Sequence, residues 1–312
     1  MIAGRTQLAE LLQGMPVVGP RVERWRSARV RRDAEHHEML RVVERIESFH
    51  AFKMLYPLPP KPNQLIGAPS YEQVPVIVCL WNRPSRIDEI LDMLARQEGL
   101  EQKIRLAFWN NGAADQAHYE RAIARAGASG AIGSIEIVHS PRNIHGIGRF
   151  ITARRLVDEG YHGPLIMIDD DEQLPVDGVA RLLAAGGERT IASAWAWQAS
   201  TEDYWSRRRA EPGEWANAAA VGGAVIDSAI FGMDRLFSML VDEGMYSDDL
   251  WLTRFALSRG WTVRATEPIV EFASHETRHN EALHRDRAAF WQILNERFPL
   301  PEDARVSVEE TR

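Results

Sequence analysis

The sequence predicts an α/β protein built on a mainly parallel sheet, and three observations carry that expectation. From residue 74 onward, short apolar runs alternate with helix-patterned segments, which is the pattern of βαβ units. The runs are nearly continuous rather than alternating, as in strands buried on both faces. The residues that close each run are polar, and ligands of such sheets gather at the carboxyl ends of the strands.

Taken in order, residues 1 to about 56 read as helical. Leu40, Val43, Ile46 and Phe49 recur at helical spacing after a charged run from Arg21 to Arg32. Acidic residues are interspersed, so a packed or capping helix is expected rather than a membrane-surface helix. Pro57, Pro59, Pro60 and Pro62 mark a stiff linker. Val74 to Leu80 is the first strand, broken by Asn82, Arg83 and Pro84. Ser85 is placed to cap a helix that carries Ile87, Ile90, Leu91 and Leu94. Ile104 to Trp109 is a second strand, ending at the turn Asn110-Asn111-Gly112. A helix over Tyr119 to Ala126, a strand over Ile135 to Val138, a helix over Gly148 to Glu159 and a strand over Leu165 to Ile168 follow. Three parts result: an N-terminal helical extension with its linker (1–72), an α/β domain (73–300) and a tail (301–312).

Composition narrows the function classes. The chain has 312 residues, 37 Lys plus Arg against 44 Asp plus Glu, and a net charge of -7. A hydrophobic fraction of 45% argues against disorder. The single cysteine, Cys79, excludes an internal disulfide framework and a Cys-rich zinc site. Met1 to Gly14 has no sustained apolar core, so no signal peptide is expected. The most apolar stretch, Trp215 to Met233, is interrupted by Asn217, Gly222, Gly223 and Asp227, so no membrane span is expected. A cytoplasmic location is expected, with a membrane-peripheral position as the alternative. The acidic balance argues against a duplex-DNA binder, and a nucleic-acid acceptor is not favoured.

Two acidic clusters carry the chemistry. Asp169, Asp170 and Asp171 directly follow a greasy strand. Adjacent carboxylates repel unless a cation or hydrogen-bond donors compensate. Oxygen-only ligation suits Mg²⁺ or Mn²⁺, which complete their shells with water and substrate phosphates. If the strand continues, alternation puts Asp169 and Asp171 on one side and Asp170 on the other. About 80 residues later, Ser247-Asp248-Asp249 opens a helix ended by Gly260. Ser247 or Asp248 can cap that helix. The remaining carboxylate suits a general base accepting a proton from a hydroxyl.

The order of these motifs resembles family 2-type glycosyltransferases. Val76 to Pro84 with the helix Ile87 to Leu94 is similar to their opening strand and helix, Ile168-Asp-Asp-Asp171 to their D-x-D motif, and Tyr246-Ser-Asp-Asp-Leu-Trp-Leu252 to their base-bearing motif. The resemblance spans roughly residues 73 to 275. It implies a GT-A fold, a nucleotide-diphosphate sugar donor (a UDP-sugar favoured), Mn²⁺ or Mg²⁺, and a hydroxyl acceptor on a saccharide, lipid-linked glycan, protein or modified nucleobase. It places Trp81, Asn82 and Arg83 near the nucleoside. Asn110 or Asn111 stands where the family commonly has an acidic base-binding residue, which leaves the nucleobase open. Asn143, Gly146, Gly148 and Arg149 would meet nucleotide and sugar, as would Asp169 and Asp170. Gly222 and Gly223 match a segment beside the sugars, or else form a turn or bulge. Asp169 and Asp171 are the implied metal carboxylates, with His275 completing the shell. Asp249, or failing it Asp248, is the implied base, giving inversion.

Arg278 and Arg285 are candidates to neutralise the diphosphate. Trp195, Trp197, Trp205 and Trp215 with Arg207 to Arg209 read as an acceptor wall or lid, or as core tryptophans with a solvated arginine run. A retaining GT-A enzyme, a sugar nucleotidyltransferase and a non-enzymatic carbohydrate-binding protein are the competing readings. The nucleotidyltransferase reading is weakened because Leu80-Trp-Asn-Arg-Pro84 lacks the glycine-rich loop that such chemistry wants. Oligomeric state is not legible.

Overall fold

The computed structural model describes residues 19–273 and 280–306. The chain divides into two compact units, Met1–Glu47 and Ser48–Arg312. The division falls inside helix α1 (Gly19–Leu55), not in the proline run. On its N-terminal side the apolar residues expected to pack do not: Leu40, Val43 and Ile46 are 51%, 47% and 41% exposed. Charges flank them at every turn, so burial there would strand ionised groups without water. From Ser48 onward the helix behaves differently. Phe52 is fully buried and stacks on Tyr56, which stacks on Phe237.

The segment read as a linker contains strand β1 (Asn63–Ile66), which pairs antiparallel with β4. The expected α/β alternation follows: β2 (Val74–Leu80), α2 (Ile87–Ala95), β3 (Ile104–Asn110), α3 (Gln116–Ala126), β4 (Ile132–His139), α4 (Gly148–Asp158) and β5 (Pro164–Asp169). β2 and β3 are buried at every position, as their unbroken apolar runs require. Ser85 does not cap α2. It lies in a 3-10 turn, Pro84–Arg86, and no side-chain cap bond starts the helix.

The chain continues through β6 (Glu172–Gln173), α5 (Gly178–Ala185), β7 (Thr190–Ser193), β8 (Ala196–Ala199), β9 (Arg207–Arg209), β10 (Ala218–Ala219) and β11 (Ala224–Asp227). Then come α6 (Asp234–Ser238), α7 (Asp248–Ser258), β12 (Thr262–Ala265), β13 (Glu271–Phe272) and α8 (Asn280–Arg297). The eight-stranded sheet has the order β1-β4-β3-β2-β5-β11-β7-β12. β4, β3, β2 and β5 run parallel, and β7 pairs parallel with β12. β11 is antiparallel to both its neighbours, β5 and β7.

Alternation along the parallel strands sends side chains into two cores. Val76, Val78 and Leu80 pack with residues of α2 and α3; Ile77, Cys79 and Trp109 pack with residues of α4, α7 and α8. A small sheet, β10-β8-β9, and a two-stranded pair, β13-β6, flank the carboxyl ends of the main strands. Among the described residues no helix is long and apolar enough to cross a membrane.

Candidate active site

β5 stops at Asp169, and Asp170 and Asp171 form the turn into β6. The alternation expected to pair Asp169 with Asp171 therefore does not hold. Asp170 and Asp171 share Arg83: Nη1 lies 2.6 Å from Asp170 Oδ1 and Nη2 lies 3.0 Å from Asp171 Oδ2. The Trp81 amide also donates to Asp170 Oδ2 at 2.8 Å. Burial still pushes the Asp170 carboxyl up to about 6, and burial raises Asp171 as well. A strand carrying three like charges in a row is relieved by turning two of them onto a guanidinium fork.

Asp169 instead meets Arg149, whose Nη1 lies 2.7 Å from its Oδ1. Its backbone N–H donates to Glu172 Oε2 at 2.8 Å. Glu172 is 1% exposed, and burial together with Asp169 pushes its carboxyl upward. Gly222 faces both groups. A Cβ there would overlap Asp169 Oδ2 and lie 2.8 Å from Glu172 Oε1, so glycine keeps the space before these oxygens open. Gly223 has φ +62 and abuts Val270, a turn that favours glycine.

The second acidic pair opens α7 without capping it. Ser247 is the N-cap residue but makes no side-chain cap bond. Asp248 lies 3.3 Å from Arg149 Nε, and Gly146 packs so closely on it that a Cβ would overlap Oδ2. Burial pushes the Asp248 carboxyl up to about 6, with Asp249 and Asp169 adding to the rise against Arg149. Asp249 Oδ2 lies 2.9 Å from Arg287 Nη1, and its Oδ1 accepts from the Leu250 N–H at 2.9 Å. Arg287 also donates to the Tyr204 hydroxyl at 3.2 Å.

These groups line one cleft of about 330 Å³. Asp169, Glu172, Arg149 and Gly222 form one side; Asp248, Asp249, Arg287 and Tyr204 another; Trp195, Trp197, Arg207 and Phe272 complete it. The aromatic stretch is therefore partly wall. Trp197 lies on β8 and Arg207 to Arg209 form β9, so this part of the stretch is sheet rather than a free loop. Trp195 stacks on Phe272 with centroids 5.1 Å apart. Trp205 stacks on His284 at 3.6 Å, and Trp215 is not among the cleft residues. A larger cavity of about 850 Å³ lies elsewhere, between Arg189, Arg259 and Trp261. It gathers no second set of buried carboxylates.

Other expected residues serve the architecture. The Asn110 amide donates to Gly112 O, and its oxygen accepts from Gly112 N, both at 2.8 Å. Asn111 Oδ1 accepts from Trp109 Nε1 and the Ile144 N–H, while its Nδ2 donates to His145 O. Asn143 Oδ1 accepts from the His145 N–H at 2.8 Å. Gly148 packs against the Trp109 ring, where a Cβ would overlap. Trp81 is 37% exposed at the end of β2, and Asn82 follows it with φ 55. Cys79 sits behind the cleft, its Sγ donating to Gly146 O at 3.8 Å. Burial pushes that thiol up to about 12.

His275 and Arg278 lie outside the described residues. Arg285 is exposed, and the arginine that reaches the acidic pair is Arg287. Sequence reading missed Arg287, Tyr204 and Glu172. Only Glu172, next to the aspartate run, left a local signal. Among the described residues, no group of three or more His, Cys, Asp or Glu side chains is arranged to hold a metal ion.

No protein-family model and no curated protein matches the chain. Among solved structures, the mannosyltransferase PcManGT from Pyrobaculum calidifontis, determined with GDP-Man and Mn²⁺, is similar with a TM-score of 0.52 and 15% identity. That match covers 82% of this chain and 74% of the other. The fold is that of a GT-A glycosyltransferase. S. aureus TarS is similar at a TM-score of 0.42 and 12% identity, covering 65% of this chain and 37% of that one. TarS 1-349 in complex with UDP has a TM-score of 0.42 and 13% identity, over 63% and 61% of the two chains. On the GT-A sheet of this chain, the acidic cleft lies at the carboxyl ends of the parallel strands, where such folds place ligands.

Proposed function

We propose that this chain is a metal-dependent glycosyltransferase that moves a sugar from a nucleoside-diphosphate donor to an acceptor hydroxyl, with inversion. One observation carries the reading: a single cleft joins the strand-end carboxylate Asp169 to the helix-start pair Asp248–Asp249 through Arg149, which touches both. Binding chemistry and proton chemistry thus meet within one cavity.

A divalent cation fits this donor set. Gly222 holds open the space before two carboxylate oxygens, Asp169 and Glu172, and oxygen ligands suit Mg²⁺ and Mn²⁺. A raised Glu172 carboxyl next to Asp169 also favours a nearby positive charge. Asp169 would hold the ion, with Glu172 behind it; Asp171, the second carboxylate of the D-x-D reading, is held by Arg83 instead. When bound, the ion supplies charge neutralisation of the departing diphosphate. Arg149 is placed to add to that electrostatic stabilisation.

The proton is the task of the pair. Asp248 sits on Arg149, next to Asp169; Asp249 sits on Arg287 and faces the aromatic wall. Asp249 is therefore the base nearer an incoming acceptor, and Asp248 places a second carboxylate beside it. A single base facing the leaving group gives inversion. The Asn110 and Asn111 amides are committed to their own loop, so the exposed Trp81 ring is the better platform for a nucleobase. A UDP-sugar remains the favoured donor.

Thermal-shift screening against UDP-, GDP-, CMP- and TDP-sugars with Mn²⁺ tests the reading. At least one donor should stabilise the protein, and Asp169→Ala should abolish that shift. Silence from every sugar nucleotide would overturn the assignment.

A further inference from the structure

The cleft contains a cation that nothing in the proposed donor chemistry uses. Arg83, Arg149 and Arg287 each have a carboxylate partner: Asp170 and Asp171, Asp169 and Asp248, and Asp249 respectively. Arg207 has none among the described residues. Its neighbours on β9 are accounted for. Arg208 pairs with Glu214 at 2.8 Å, and Arg209 donates to Ala194 O at 2.9 Å.

Arg207 is nonetheless firmly placed. Its guanidinium lies over the rings of Trp197, Tyr204 and Trp205 at 4.5, 4.5 and 4.7 Å from their centroids. Nη1 donates to the Tyr204 hydroxyl. Ring faces attract a guanidinium but leave the N–H edges of its fork free. An arginine held this way has little rotamer freedom left to lose when an anion arrives. That hydroxyl already receives a second donor from Arg287.

Contacts within the cleft also give Arg207 a side. One chain runs from Asp169 through Arg149 to Asp248. Next in sequence, Asp249 leads through Arg287 and the Tyr204 hydroxyl to Arg207. Arg207 thus ends the series that starts at Asp169, with the proposed base between them.

We propose that Arg207 is an anion subsite for the acceptor: the molecule that receives the sugar carries a phosphate or carboxylate group close to its reacting hydroxyl. This rests on the glycosyltransferase reading for the word acceptor, but the anion subsite itself does not. A neutral acceptor would leave the guanidinium without a counter-charge in a cleft walled by indole rings. An anionic one gains a two-pronged, charge-assisted contact and is aligned with its hydroxyl toward Asp249.

The test titrates the protein with inorganic phosphate, sn-glycerol 3-phosphate and glycerol, following tryptophan fluorescence from the cage. Each titration is run with and without a saturating nucleoside diphosphate plus Mn²⁺. Both phosphates should give a saturable change that survives nucleotide saturation, and glycerol should give none. Arg207→Gln should weaken the phosphates at least tenfold and Arg207→Lys about threefold, while Arg208→Gln leaves their affinity as it was. Melting curves of each variant confirm that it folds. Phosphate binding that Arg207→Gln leaves unchanged, or no phosphate binding at all, overturns the subsite. Displacement of phosphate by the nucleotide assigns Arg207 to the donor diphosphate and overturns the acceptor assignment. If no sugar nucleotide binds, the transferase reading falls, while titration of the free protein still decides whether Arg207 takes an anion.

Discussion

The two acidic clusters meet in one cleft but are neutralised in different ways. In the Asp169–Asp171 cluster, the strand ends after the first carboxylate, and a turn delivers the other two to Arg83. Asp169 alone is left facing the cavity, its side chain 37% exposed. In the Asp248–Asp249 cluster both side chains line the cavity, each against its own arginine, and both are largely buried. A turn can sort neighbouring carboxylates to different surroundings. The first turn of a helix holds them close together, so the charge of Asp249 adds to the rise of Asp248. The first arrangement suits fixed binding, the second a proton that must move.

Substitution of one carboxylate from each cluster is the sharpest way to break this contrast. Asp249→Asn should lower transfer turnover about 10³-fold while donor affinity shifts less than threefold. Asp169→Asn should lose donor binding itself. Calorimetry with the best sugar nucleotide, set beside turnover, distinguishes the two. Equal losses of affinity in both variants would erase the division of labour.

Acidity gives the next effect. Turnover should rise with pH through an acid limb near 6, where the raised Asp248 carboxyl beside the base loses its proton. Asp248→Asn should remove that limb, since it takes away the group that titrates there. Stability should run the other way. The folded chain keeps the Asp248 proton to about 6, whereas the unfolded chain releases it near the ordinary aspartate value of 3.8. Unfolding therefore releases a proton between these values, and stability falls as pH rises across that window. Melting at pH 7.5 should show Asp248→Asn more stable than the parent chain, with the gain vanishing below pH 4. A smaller loss is expected from Arg83→Met. It leaves Asp170 and Asp171 without their fork and should cost about 1–2 kcal/mol by denaturant titration at neutral pH.

Much of the architecture was legible because its signals are local. The run Val74 to Leu80 is unbroken and apolar, and it is buried along its whole length. Strand direction left no such trace. Ala224–Asp227 enters antiparallel between two strands of the main sheet, and an apolar run reads the same in either sense. Helix starts misled where position outweighed propensity, for neither Ser85 nor Ser247 caps its helix. In the site, the carboxylates were visible as clusters, but their cations were not. Arg83 reaches Asp170 across 87 positions, and Arg287 meets Asp249 from a different helix. Single arginines in an arginine-rich chain carry no mark of their partner. Asn110 and Asn111 stand where the resemblance puts an acidic base reader, and only their hydrogen bonds show them tying down a loop.

Cys79 has a practical consequence. The chain has one cysteine, it is buried, and burial pushes its thiol up to about 12. Alkylating reagents attack thiolates, so at neutral pH the folded protein is a silent background for maleimide chemistry. A single dye placed through Asn82→Cys, on the exposed turn beside Trp81, would label one position without any other residue being removed. Quenching of that dye by the neighbouring indole then becomes an optical gauge of whether a nucleobase has come to rest there.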